Sequence, residues 1–176
     1  MKIVMMTGSA HRHGTTATLA DRFQQGALDA GHEVYRFDAA FQDVHPCIGC
    51  DKCRRTGTCA FAEDDMKLLD PHLLAADAVV FVSPIYYFSI NAQLKAVIDR
   101  FYANNDALMG GKKAVLITAM ADTEMDSALA ANEMFRQMTA YLGWENAGVL
   151  NARNAPTAAD LSGDDLERAY ALGKEL

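Results

Sequence analysis

The sequence predicts an α/β fold in which a five-stranded parallel sheet is covered by helices on both faces. Apolar runs of strand length alternate five times with segments of helical period, in units of about thirty residues. Strands joined in this way need right-handed crossovers, which place helices on both faces of the sheet. The 176 residues suffice for one core, and a hydrophobic content of 51% is ordinary for a globular chain. We therefore expect a single domain over residues 1–176.

The first strand and helix are the clearest elements of the pattern. Ile3 to Met6 is an apolar run short enough for a strand buried on both faces, and it breaks at Gly8. After Gly14, apolar residues recur at four-residue intervals along one helical face, at Leu19, Phe23 and Ala27. Gly31 is placed to end this helix, and Glu33 to Phe37 alternates as a half-buried strand near an edge should.

The segment from Asp38 to Ala62 has no period and contains all four cysteines. A loop of this length inside a compact domain is usually functional. Acidic residues at Glu63 to Asp65 can begin the next helix, but Asp70-Pro71 is an equally good start. Either one kinked helix or a turn followed by a fresh helix is compatible with this pattern.

The third strand, Ala78 to Val82, is apolar on both faces and is expected at the centre of the sheet, ending at Ser83-Pro84. A helical period follows from Ile90. The rest of the chain predicts a fourth buried strand at Lys113 to Thr118, a helix that ends at Gly143, a weak fifth strand at Glu145 to Asn151 and a capping box at Ser162 to Asp165.

Composition excludes several classes of function. A formal charge of −7, a pI near 5.1 and the lack of a basic run argue against nucleic-acid and anionic-membrane surfaces, which leaves small molecules or proteins as partners. No apolar leader is present, and Ala78 to Val82 is too short to span a bilayer, so we expect a cytoplasmic protein. Motifs of hydrolytic enzymes are absent.

The loop from Gly8 to Thr16 predicts an anion-binding site. A loop that leads from a buried strand into a helix leaves free backbone N–H groups at the helix start, where the helix dipole favours negative charge. Ser9, Thr15 and Thr16 add hydroxyl donors. The loop lacks the motifs for nucleoside triphosphates and dinucleotides, so a single phosphate is the expected ligand. The alternative is a capped helix that binds nothing.

Parallel sheets bind ligands beyond the carboxyl ends of their strands, so the relevant loops are Gly8 to Thr16, Ser83 to Ser89 and Ala119 to Asp126. The second loop carries three aromatic residues, Tyr86, Tyr87 and Phe88. A flat, partly apolar ring with a phosphate would use both of the first two loops, with backbone amides after Pro84 at its polar edge. The alternative is that the aromatic residues fill core beneath the loop.

The four cysteines form a C-x2-C-x2-C-x5-C run at Cys47, Cys50, Cys53 and Cys59. Thirteen residues thus supply four thiolates, which indicates a metal site complete in itself. Zinc usually takes its four cysteines from two separated pairs, whereas this compact run favours a 4Fe–4S cluster. Zinc, a redox disulfide and free thiols remain open alternatives.

Four segments together carry a family resemblance: G-S-A-H-R-H-G-T-T at Gly8 to Thr16, the cysteine run and D-D-M between Pro46 and Met66, S-P-I-Y-Y at Ser83 to Tyr87, and Q-L-K-A-V-I-D-R at Gln93 to Arg100. Over Lys2 to about Thr118, the chain resembles the flavodoxin-like NAD(P)H-dependent FMN reductases, and among them the iron–sulfur flavoproteins. The resemblance implies a doubly wound sheet of strand order 2-1-3-4-5 and a bound FMN.

The resemblance also implies where FMN binds. Ser9, Thr15 and Thr16 would hold the phosphate, and the ring would lie along Pro84 to Phe88. The family commonly has arginine in place of His11, so Arg12 is expected to substitute. The Ala119 loop lacks the glycines that many relatives place near the ring. The expected cofactor-binding residues are Ser9, His11, Arg12, Gly14, Thr15, Thr16, Pro84, Ile85, Tyr86, Tyr87, Phe88, Ser89, Ala119 and Asp122.

These features predict an oxidoreductase that passes electrons from NAD(P)H through FMN, and through a 4Fe–4S cluster, to a quinone, flavin or other small acceptor. No catalytic side chain is expected, because the flavin carries the chemistry. The alternatives are an electron carrier reduced by ferredoxin without turnover of its own, and a zinc protein that merely binds FMN. The patch from Tyr86 to Phe88 predicts a homodimer or homotetramer. The residues do not distinguish NADH from NADPH.

Overall fold

A computed structural model describes all residues, 1–176. Five long strands form a parallel sheet in the order β2-β1-β3-β5-β6. A short sixth strand, β4, pairs antiparallel with β3. The strands are β1 (Lys2–Thr7), β2 (Glu33–Asp38), β3 (Ala78–Tyr86), β4 (Ser89–Ile90), β5 (Lys113–Ala119) and β6 (Glu145–Ala152). The predicted order 2-1-3-4-5 is confirmed for the five parallel strands. The short strand β4 was not predicted.

The chain forms seven α-helices: α1 (Thr15–Asp29), α2 (Lys52–Thr56), α3 (Met66–Ala75), α4 (Ala92–Asp99), α5 (Asn105–Leu108), α6 (Leu129–Leu142) and α7 (Gly163–Lys174). Short 3-10 helices occupy Ala39–Phe41, Arg100–Asn104, Met125–Ala128 and Ala158–Asp160. None of the α-helices has the length and apolar content that crossing a bilayer requires.

The core lies on both faces of the sheet. On one face, α3, α4 and α6 pack a cluster that includes Leu69, Leu94 and Phe135. On the other face, α1 and α7 pack a second cluster around Leu19 and Phe23. Neighbouring residues of β1 contribute alternately to the two clusters, as expected for a strand buried on both sides. The predicted α/β architecture is therefore confirmed.

The helix boundaries resolve the alternatives left by the pattern. The third helix begins at Met66, so the acidic start is correct and a fresh start at Asp70-Pro71 is wrong. Pro71 lies on the exposed side of this helix, where water can bond the carbonyl left without an N–H donor. The predicted stop at Gly143 and the capping box of Ser162 with Asp165 are both confirmed.

The predicted end of the third strand at Ser83-Pro84 is wrong. This strand, β3, continues to Tyr86, turns through two residues and returns as β4. Pairing with β1 stops at Val82, so Pro84 has a strand neighbour on one side only, and proline is tolerated at such an edge. What the pattern predicts as a loop is therefore the tip of a β-hairpin.

Candidate functional site

An open cavity of about 880 Å³ lies at the carboxyl edge of the sheet. Its volume is within the range of small-molecule sites. Residues from all three predicted loops line it, and those predicted as cofactor contacts are Ser9, His11, Arg12, Gly14, Thr15, Thr16, Pro84, Ile85, Tyr86 and Ala119. Tyr87, Phe88, Ser89 and Asp122, which were also predicted, do not line it. The structure thus brings most of the predicted contacts to one place.

The start of α1 forms one wall of the cavity. Gly14 is the N-cap residue and provides no side chain to bond the first-turn N–H groups, and the first turn contains no acidic residue. These N–H groups have no partner within the helix, so both they and the helix dipole are available to an anion. Ser9 and Thr16 are buried beside them. The Ser9 hydroxyl also accepts a hydrogen bond from the His11 N–H at 3.1 Å.

Arg12 is a cation without an ion-pair partner at this wall of the cavity. Its guanidinium lies 3.6 Å above the ring centre of Phe41 and forms no ion pair. Arg36 lies across an adjoining pocket of about 190 Å³, but its charge is already paired with Asp21 and Asp38. Arg12 is therefore the arginine available to an anion near His11.

A buried hydrogen-bond network joins the first two loops. Asn91, only 1% exposed, donates from its side-chain amide to the carbonyl of Gly8. Its backbone N–H donates to the hydroxyl of Ser83 at 2.9 Å. Asn91 was not among the predicted site residues, and it does not line the cavity. Its place as the N-cap residue of α4 does not predict this role, because its side chain bonds Gly8 and makes no capping bond to the helix.

The hairpin tip points away from the cavity. Tyr87 and Phe88 are 99% and 61% exposed, so they neither stack in the cavity nor fill core. Both have left-handed backbone angles, with φ of 47° and 67°. Bulky residues rarely adopt that conformation, because the side chain crowds the following carbonyl. Of the three predicted aromatic residues, only Tyr86 lines the cavity.

The third loop contributes its first residues and not its carboxylate. Met120 and Ala121 line the cavity, whereas the Asp122 carboxylate accepts hydrogen bonds from the Ser127 hydroxyl and the Glu124 N–H. The bond from Ser127, followed by that from Glu124, lowers the pKa of Asp122. This carboxylate shapes its own loop and is not presented to a ligand.

A fourth loop, missed by the sequence analysis, completes the cavity. Ala155 to Ala158 follow β6 and line the side opposite the hairpin. The N–H of Ala155 donates to the Met120 carbonyl at 3.0 Å, and the Thr15 hydroxyl donates to the Ala155 carbonyl at 3.2 Å. The rule that ligands bind at carboxyl ends of strands applies to β6 as well, so this signal was available.

The four cysteines line one small pocket, together with apolar groups of Ile48, Ala60 and Phe61. All four are free, and Cys47 and Cys50 are exposed. No group of three or more His, Cys, Asp or Glu side chains in the chain is arranged to hold a metal ion. The donor set still suits a 4Fe–4S cluster, because such a cluster takes four thiolates and they all border the same pocket.

A sequence profile described as NADPH-dependent FMN reductase matches residues 1–152. The chain belongs to this family. The resemblance inferred from the four sequence segments is therefore confirmed. The match covers β1 through β6 and so includes all the strand ends that surround the cavity.

Curated and solved relatives of this FMN reductase family member agree with that assignment. An iron–sulfur flavoprotein of Archaeoglobus fulgidus is 32% identical over 112 residues, which are 62% of this chain and 50% of the relative. One from Methanocaldococcus jannaschii is 31% identical over 100 residues, 57% of this chain and 51% of the relative. The chain thus spans about half the length of the curated relatives it matches.

Solved structures show the same fold. An NAD(P)H:quinone oxidoreductase from Methanothermobacter marburgensis superposes with a TM-score of 0.76 at 17% identity, covering 98% of this chain and 94% of that one. An azoreductase from Bacillus anthracis superposes with a TM-score of 0.73 at 18% identity over the full length of both chains. At these identities the likeness concerns the fold.

In this family member, a buried ion pair lies beside the two ends of the cysteine segment, residues 46–60. Arg100, directly after α4, pairs with Asp64, two residues before the start of α3. Burial opposes ionisation of Asp64, but hydrogen bonds from Arg100 and from the N–H groups of His45 and Met66 outweigh it and lower its pKa. The carboxylate therefore stabilises the fold above its ordinary pKa, and this contribution is lost as the pH falls through the lowered value.

Proposed function

We propose that this protein is an FMN-dependent oxidoreductase that passes electrons from NAD(P)H through FMN to a small acceptor such as a quinone or a flavin. The observation that carries the proposal is the cavity itself. It joins an uncapped helix start, suited to one phosphate, to a partly apolar wall at Pro84 to Tyr86, suited to a flat ring. Membership of the FMN reductase family supports FMN as that ligand.

Each wall of the cavity has a distinct task in this proposal. The first-turn N–H groups of α1 and the hydroxyls of Ser9 and Thr16 bind the phosphate, with Arg12 as the neighbouring cation. The Thr15 hydroxyl joins them when it releases the Ala155 carbonyl. Pro84 to Tyr86 and the loops after β5 and β6 orient the ring. When bound, FMN supplies two-electron acceptance as a hydride and release in single-electron steps. The open side of the cavity leaves room for NAD(P)H to approach transiently.

The proposal extends to a 4Fe–4S cluster on Cys47, Cys50, Cys53 and Cys59. Their shared pocket and the names of the curated relatives support this assignment. The cluster would give the protein a one-electron store separate from the flavin site. The four thiols serve as ligands, and the exposure of Cys47 and Cys50 would leave part of the cluster open to water, which affects the reduction potential of such a cluster.

Anaerobic purification and titration test this function. We expect the protein to bind FMN, to contain iron and sulfide, and to lose flavin absorbance rapidly when NADH or NADPH is added. A protein that remains colourless and takes up no FMN would contradict the whole proposal. Zinc in place of iron and sulfide would contradict the cluster alone, because zinc has no visible absorbance.

One observation favours the second function, an electron carrier reduced by a protein such as ferredoxin. The short helix α2 places Lys52, Arg54 and Arg55 around Cys53, all three exposed and none ion-paired, in a chain of net charge −7. Such a local basic patch suits an acidic electron donor. Reduction by ferredoxin that slows with added salt, without reduction by NAD(P)H, would favour this function over the first.

The exposed hairpin tip supports self-association, and a double variant tests it. Tyr87→Asn with Phe88→Gly places at the turn the two residues that suit positive φ, so we expect the isolated chain to be more stable by about 1–3 kcal/mol. If the tip is the contact between copies, the mass measured by light scattering falls to that of a monomer. Tyr141→Asn, an exposed aromatic residue at the opposite end of the sheet, is the control. A wild-type monomer at every concentration would contradict the proposed oligomer.

A further inference from the structure

Arg100 and Asp64 form the only buried ion pair of the protein, with 3% and 2% of their side chains exposed. In every other ion pair, both side chains are at least 23% exposed. Removing two charges from water is costly and needs further hydrogen bonds as compensation. The groups that form these further hydrogen bonds therefore indicate the structural role of the pair.

Those partners are the two ends of the cysteine segment. Arg100 donates to the carbonyl of His45 at 2.8 Å and to the carbonyl of Phe61 at 3.0 Å. Asp64 accepts from the N–H of His45 at 3.1 Å. The rings of His45 and Phe61 also stack, with centres 4.8 Å apart. One ion pair thus closes a loop over residues 46–60, which contain all four cysteines.

The segment has little else to hold it. Apart from its contacts with Arg100, residues 46–60 make one hydrogen bond to the rest of the protein, from the Tyr102 hydroxyl to Asp51 at 3.0 Å. Tyr102 lies two residues after Arg100 on the same 3-10 helix. Bringing the ends of such a loop together costs entropy, and a closed loop presents its four thiols to one pocket at less cost.

Two of the sequence segments that carry the family resemblance meet in this pair. Asp64 belongs to D-D-M and Arg100 ends Q-L-K-A-V-I-D-R. Neither residue lines the flavin cavity, so the proposed FMN chemistry gives neither a role. Arg100 also lies beside Cys59, one of the four cysteines.

We propose that the Arg100–Asp64 ion pair positions the cysteine segment for cluster binding by holding its two ends together. The inference rests on the cluster of the proposed function. Arg100 and Asp64 are positioning residues, since they act through the cysteines. Loss of the Arg100 charge alone would leave the Asp64 carboxylate unpaired beside the segment, which would disfavour the more negative, reduced cluster and lower its reduction potential.

The test compares Arg100→Gln, Arg100→Lys and Lys112→Met with the wild type. Lys112 is the matched control, a buried cation that bonds the carbonyls of Leu74 and Ala76 at the opposite edge of the sheet. If Arg100→Gln does not fold, the double variant Arg100→Gln with Asp64→Asn replaces it in the test, because the double variant leaves no unpaired buried charge. FMN binding, which uses other residues, reports whether each variant is folded.

Two readouts are measured, the iron and sulfide content after anaerobic reconstitution and the amide hydrogen exchange of residues 43–62. We expect Arg100→Gln to bind FMN normally, to hold roughly tenfold less iron and to exchange these amides roughly tenfold faster. Any cluster left in it has a more negative potential. Arg100→Lys keeps the charge without spanning both carbonyls, so it regains part of the iron and the wild-type potential. Lys112→Met matches the wild type.

A folded Arg100→Gln variant with wild-type iron content and wild-type amide exchange would overturn the inference. If the proposed cluster itself is wrong, the result differs, because the wild type would then take up no iron and sulfide. In that case the exchange comparison still decides whether the ion pair holds the segment, because it needs no metal.

Discussion

Thr15→Asp is expected to weaken FMN binding by roughly hundredfold or more with little net change in the stability of the empty protein. Thr15 is the first residue of α1, and the first turn of that helix has no acidic side chain to offset the helix dipole. An aspartate there stabilises the helix by about 0.3–1 kcal/mol, but the substitution also removes the hydrogen bond that the Thr15 hydroxyl donates to the Ala155 carbonyl, a loss of similar size. The same carboxylate occupies the anion position and repels the phosphate, and like charges in contact cost several kcal/mol. Fluorescence titration and thermal unfolding measure the two effects.

Ala92→Asp is the matched control for this variant. Ala92 is the exposed first residue of α4, which also lacks an acidic residue in its first turn, and it does not line the cavity. We expect a gain in stability of about 0.3–1 kcal/mol with unchanged FMN binding. Thr15→Asp with wild-type FMN affinity would show that the phosphate is bound elsewhere.

Gly8→Ala is expected to lower the free energy of unfolding by about 2–4 kcal/mol and to impair FMN binding. A Cβ at Gly8 would lie 2.0 Å from the Asn91 side-chain oxygen and 2.9 Å from the Leu94 Cβ. Asn91 would have to move and release the hydrogen bonds that join the phosphate loop to Ser83. Denaturant unfolding followed by circular dichroism gives the stability, and FMN titration gives the affinity.

Gly163→Ala controls for the added methyl group. Gly163 is the first residue of α7, and a Cβ there would meet nothing within 4 Å. Alanine should therefore be neutral or stabilise by about 0.5–1 kcal/mol. If Gly8→Ala is as stable as this control, the Asn91 network does not hold the two loops together.

The strands and helices were accessible from sequence because local pattern dictates them, whereas the strand order came from the family resemblance. Ile3 to Met6 and Ala78 to Val82 are apolar on both faces, and such runs are buried in parallel sheets. The helix stop at Gly143 and the cap at Ser162 depend on residues close in sequence. The cysteine run and the Gly8 loop could be recognised for the same reason, because the functional residues of each lie within fewer than twenty positions of the sequence.

Only the tertiary structure decided how β3 ends, which loops meet and what anchors the cysteines. The strand continues past Pro84 because Ile85 and Tyr86 pair with β4. Asn91 matters because it reaches Gly8, and Arg100 matters because it reaches His45 and Phe61. These contacts join residues far apart in the chain, and periodicity and capping carry no information on such distances. Sequence alone therefore determined the elements and their chemistry, and long-range packing decided the geometry of the site.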